Sequence, residues 1–192
     1  MKNNTYSTTY RILHWAIAIS FILLLITIFL RTTWMEKEHV AGIIGAFLNE
    51  NGQQLPQDQL IVLAKQIREP MWQWHVYLGY VLVGLFAVRF ALPFWGEMQI
   101  QNPFSKGLNA KQKFQRWVYI VFYCGVVISL TTGLLIKFGF KDWKNSLEEI
   151  HELSIYYLLV YIVLHLSGVI IAEFTSHKGI ISKIVSGDKK TH

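Results

Sequence analysis

The stretch "TYRILHWAIAISFILLLITIFLR", residues 9–31, decides how the rest of the chain is read. From Trp15 to Leu30 it carries no charged residue, and about 20 largely apolar residues are enough for a helix to cross a bilayer. His14 stands at its start. Three more histidines keep the same company: His75 in "WHVYLGYVLVGLF" (74–86), and His151 and His165 in "HELSIYYLLVYIVLHLSG" (151–168). Ionisable side chains in hydrocarbon are costly and functional by default, so these four need a joint explanation.

Composition sets the class. The 192 residues are 53% hydrophobic and only 16% charged, which places the chain among membrane proteins. Four runs are long enough to span, at 10–30, 75–95, 117–136 and 151–172. Hydrocarbon offers no partner to a backbone amide, so each run must satisfy its own hydrogen bonds as a helix. The expected fold is all-α: an integral membrane four-helix bundle forming one domain over 1–192, with an extra helical segment between the first and second spans. The first run reads as a retained anchor, because its apolar part, Trp15 to Leu30, is long for a signal peptide and no A-x-A-like cleavage site follows it before "RTTWMEKE" (31–38).

Basic residues orient the spans. With the N-terminus inside, the inner flanks hold Lys2, Arg11, Arg89, Lys106, Lys111, Lys113, Arg116 and the lysines of the tail, while most acids fall outside. The positive-inside rule then puts both termini in the cytoplasm. The formal net charge of +6 reads as this topology signal and not as a nucleic-acid surface. All seven tryptophans lie near expected helix ends, as an interfacial belt requires.

The long connection, 32–72, contains two apolar stretches around an "NENGQQLP" break. A structureless loop of that length is uncommon, so two short amphipathic helices are expected, the second bounded by Pro56 and Pro70. They serve either as a cap over the outer ends of the spans or as a surface for a partner. The tail "TSHKGIISKIVSGDKKTH" (175–192) is basic and amphipathic, suited to lying on the inner face.

Depth sorts the histidines. His14 opens an outward span near the inner face, and His75 opens an inward span near the outer face. His151 opens the last span, and His165 follows fourteen residues later, which is roughly 21 Å along a helix and within about 40° of the same face. His14 therefore pairs with His165 on the inner side, and His75 with His151 on the outer side. Two opposed histidines per level suit the axial positions of a haem iron, whereas structural zinc takes four ligands. A small residue stands one turn from each histidine: Ala18, Gly79, Ser154 and Gly168. The lone cysteine, Cys124, excludes an intramolecular disulfide, and no C-x-x-C-H is present for c-type attachment. His39, His177 and His192 fall in expected extramembrane segments.

These residues carry a family resemblance. "YRILHW" (10–15), "HVYLG" (75–79) with Arg89 ending its run, "SLTTG" (129–133), the H-x13-H of the last run and the closing "ISKIVSG" (181–187) resemble the prokaryotic cytochrome b-561 and Ni,Fe-hydrogenase b-type cytochrome superfamily. The chain is also similar to the membrane subunit of formate dehydrogenases. The resemblance implies two haem b, one on His14 and His165 and the other on His75 and His151, which is the pairing that depth gives. It also implies a membrane quinone as exchangeable substrate and a redox partner at the other haem. Arg11 and Arg89 inside and Arg68 outside are candidates for haem propionates, or equally for lipid phosphates.

Iron with two axial histidines has no open place for oxygen, so electron transfer is the chemistry left to it. The leading expectation is a dihaem b-type cytochrome linking a periplasmic-side oxidoreductase subunit to the quinone pool within membrane lipid. One alternative is a stand-alone superoxide:quinone oxidoreductase. Another is a cofactor-free carrier or sensor.

Overall fold

The computed structural model describes residues 6–99, 101–139, 141–175 and 178–187. Every regular element among them is helical: α1 Thr8–Thr32, α2 Lys37–Glu50, α3 Gln57–Ala91, α4 Ala110–Phe138, α5 Lys144–Glu152, α6 Ser154–Phe174 and α7 Ile180–Val185, with 3-10 turns at Leu92–Trp95 and Lys141–Trp143. Four segments are long and apolar enough to cross a membrane: Thr8–Thr32, Gln57–Trp95, Ala110–Phe138 and Lys144–Phe174. The all-α membrane reading holds, as does the extra helical segment.

Helix ends follow from local chemistry. Glu36 caps α2, its carboxylate accepting from the Glu38 and His39 amides at 2.8 and 3.0 Å. Asn109 and Gln112 form a reciprocal capping box at the start of α4, which satisfies two amides that the first turn leaves unpaired. Gly139, at φ 84°, closes α4 in the left-handed conformation that glycine adopts without a Cβ clash.

Two boundaries differ from expectation. Pro70 does not end the second insert helix; it lies inside α3, which runs unbroken from the insert into the second span. Proline removes one amide donor from the ladder, but the helix here continues on both sides of it. The last span is not one helix from 151. It begins at Lys144, and α5 gives way to α6 at Leu153, whose backbone stays right-handed at φ −62° and ψ −14°. His151 therefore sits on α5 and His165 on α6, so uninterrupted 100° steps no longer relate their faces.

The described chain divides into two compact units, Met1–Ala16 with Leu85–His192, and Ile17–Gly84. In the first, α4 packs on α5 and α6 around Val126 and Leu158, and Phe122 stacks on Tyr161 at 3.7 Å between ring centroids. In the second, α2 folds back on the start of α3 over Ala41, Leu60 and Ala64, with Val40, Ile44, Leu48 and Ile61 beside them. The insert thus has a small core of its own. Large apolar side chains stay exposed along the spans, among them Ile12, Phe29, Val163 and Leu166, as expected of helices whose outer faces meet lipid.

Candidate functional site

In the first unit, α1 and α6 bring His14 and His165 together with ring centroids 6.1 Å apart and planes inclined by 45°. Both side chains are half-buried. Aromatic rings hold each from behind: Tyr10 stacks near His14 at 6.4 Å, and Tyr161 near His165 at 5.6 Å. Tyr10 and Tyr161 each lie four residues before their histidine, which puts them one turn away on the same helix face. A first-row metal sits about 2 Å from an imidazole nitrogen, so two opposed rings sharing one metal have centroids roughly 6 Å apart. His14 and His165 meet that spacing. Among the described residues no three His, Cys, Asp or Glu side chains converge to hold a metal ion, so a group that asks the protein for two ligands fits and a structural zinc does not.

His151, at the end of α5, docks on α4. Its Nδ1 lies 3.0 Å from the Ser129 carbonyl and 3.1 Å from Thr132 Oγ1. Gly133 lets it approach: a Cβ there would come within 3.0 Å of His151 Cε1. The "SLTTG" run is therefore a seat for this ring. Ser129 also donates to Ser154 across α4 and α6, so Ser154, small as it is, ties the two helices together.

In the second unit, His75 is held in the same manner. Its Nδ1 lies 2.8 Å from Thr27 Oγ1, and Trp72 stacks on the ring at 4.5 Å with planes 6° apart. The Arg31 guanidinium lies over the Trp72 ring, 4.2 Å from its centroid. Arg31, Lys65 and Arg68, with Glu69 and Trp72, line a cavity of about 150 Å³. No carboxylate pairs with these three cations among the described residues.

The other two arginines singled out by sequence differ in setting. Arg89 is buried, donates from Nη1 to the Met98 carbonyl at 2.8 Å, and lies over Tyr123 at 5.2 Å. Arg11 donates from Nη2 to the Val185 carbonyl at 2.8 Å, tying α7 to α1, while its Nε is buried without a hydrogen-bond partner. Of the small residues, Gly79 and Gly168 face open space where a Cβ would stand, room that a flat group could use. His39 is exposed on α2; His177 and His192 lie outside the described residues.

The family model for prokaryotic cytochrome b561 matches residues 5–187. The chain belongs to the prokaryotic cytochrome b561 family. No curated protein and no solved structure matches it. As a member of that family it is a multi-pass membrane b-type cytochrome of electron transfer, and haem b is the cofactor that membership implies. The family match includes residues 32–72, although the resemblance read from motifs lay outside them.

Sequence reading of this cytochrome b561 passed over Thr27 and gave Thr132 no role beyond its place in "SLTTG". Both are buried, at 7% and 6% exposure, and both lie in otherwise apolar runs. A hydroxyl buried in a span needs a partner, and that need was the available signal.

Proposed function

We propose that this cytochrome carries two haem b and passes electrons across the membrane between a redox partner and the quinone pool. His14 and His165 would hold one haem, and His75 and His151 the other. The observation that carries the reading is the 6.1 Å spacing of the His14 and His165 rings on two membrane-spanning helices. Bound there, haem b would supply a one-electron couple. Two histidine ligands would leave that iron no open place for oxygen or other small ligands, so its chemistry would be electron transfer.

Arg89 is a buried cation whose described partners are a carbonyl and an aromatic face. A buried charge of this kind calls for a counter-charge, and a propionate provides one. Arg11 offers a propionate its unpartnered Nε. Arg68, with Arg31 and Lys65, offers a cluster of positive charge close to Trp72 and His75. We place both termini in the cytoplasm, from the distribution of basic residues.

The test is reduction of the purified protein by a quinol in liposomes, followed at the haem α band. Rapid reduction, and reoxidation by a water-soluble acceptor outside, is the expected result. A protein that quinol leaves oxidised contradicts the reading.

The cavity lined by Arg31, Lys65 and Arg68 favours one second reading, a stand-alone superoxide:quinone oxidoreductase, because converging cations draw small anions. That reading requires the isolated chain to reduce quinone with superoxide, and Arg31→Gln with Arg68→Gln to slow it.

A further inference from the structure

We propose that Thr27 and Thr132 are positioning residues that fix His75 and His151 in one tautomer, protonated at Nδ1, so that each presents Nε2 to its metal. This rests on the reading that both histidines are haem ligands. The proton count carries it. Thr27 Oγ1 lies 2.6 Å from the Leu24 carbonyl, a distance that requires the hydroxyl proton between them. A hydroxyl has one proton and two lone pairs, so Thr27 faces His75 Nδ1 as an acceptor and the imidazole supplies the hydrogen. Thr132 repeats the arrangement: its hydroxyl lies 2.8 Å from the Ile128 carbonyl and 3.0 Å from that of Ser129. His151 Nδ1 also meets the Ser129 carbonyl at 3.0 Å. A carbonyl has no proton to give, so that nitrogen carries the hydrogen.

The same device thus occurs twice, in separate units and on unrelated stretches of sequence. His14 and His165 make only ring contacts among the described residues. Bonding at the far ring nitrogen orients a ligating imidazole and strengthens it as an electron donor to the metal. Stronger donation favours oxidised iron, so these threonines lower the midpoint potential of whatever haem His75 and His151 bind.

The experiment is a spectropotentiometric titration of the full chain in membranes, comparing wild type with Thr27→Val, Thr27→Ser and Thr132→Val. Valine keeps the shape and removes the acceptor; serine keeps the acceptor. Thr27→Val should raise the midpoint of the haem that His75→Ala or His151→Ala removes and leave the other midpoint in place; Thr132→Val, which keeps the Ser129 carbonyl as an acceptor for His151 Nδ1, should raise the same midpoint by less. Thr27→Ser should titrate as wild type. If Thr27→Val loses that haem while Thr27→Ser keeps it, the hydroxyl is again shown to seat the ring. Unchanged midpoints in both valine variants would overturn the proposal, as would loss of the haem in Thr27→Ser. A wild-type protein whose His75→Ala and His151→Ala variants lose no haem would instead refute the ligand assignment itself.

Discussion

His14 and His165 are the residues on which the ligand assignment turns. Their rings are 6.1 Å apart, so replacing either with alanine should remove the same haem and leave the other spectrum intact. His75→Ala and His151→Ala should together identify the second. Difference spectra of the four variants check this; if His14→Ala and His151→Ala deplete one common signal, the pairing is wrong. Gly133 offers a subtler probe. Alanine there would place its Cβ 3.0 Å from His151 Cε1, closer than packed atoms sit, and overpacking of this kind costs about 1–3 kcal/mol. Gly133→Ala should therefore broaden or shift the His151-dependent haem signal and lower the thermal midpoint. An unaltered spectrum would mean that the ring is not held where α4 meets it. The four histidines were legible in the sequence because each is an ionisable group in an apolar run. Thr27 was not, since one hydroxyl in a span ordinarily bonds its own helix, as Thr27 also does.

At the scale of elements, the four spans were legible as long apolar runs because membrane thickness sets a minimum length, but the helices that hold them start well before the expected bounds in three cases, at Gln57, Ala110 and Lys144. The insert was harder. Pro70 looks like a boundary, yet α3 passes through it; apolar continuity on both sides outweighs one missing donor. The break at Leu153 was equally hidden, since a single helical residue between α5 and α6 leaves no mark in composition. The insert's fate follows from its packing. Ala41, Leu60 and Ala64 form a core within it, so its apolar stretches are partly buried against each other. Deleting residues 40–66 with a short Gly/Ser bridge should therefore leave both haems bound, and should weaken electron delivery from a native donor while a small chemical reductant still works. Loss of the His75-dependent haem would show instead that the insert is a lid.

For the whole molecule, topology and cofactor content are the two quantities that matter. The basic flanks predict that a fluorescent reporter fused to the C-terminus, of a kind that matures only in the cytoplasm, will be bright; a dark fusion that is stably inserted would reverse the orientation and with it the inner and outer labels. Family membership brings haem b and electron transfer to the chain, but the number of haems rests on the paired histidines. The most direct measurement is a pyridine-haemochrome assay on the purified protein, normalised to chain concentration. The account predicts two haem b per chain, with the sharp α and β bands of a low-spin, two-histidine centre on reduction. One haem per chain would contradict the two-level arrangement, and a colourless protein would contradict the function.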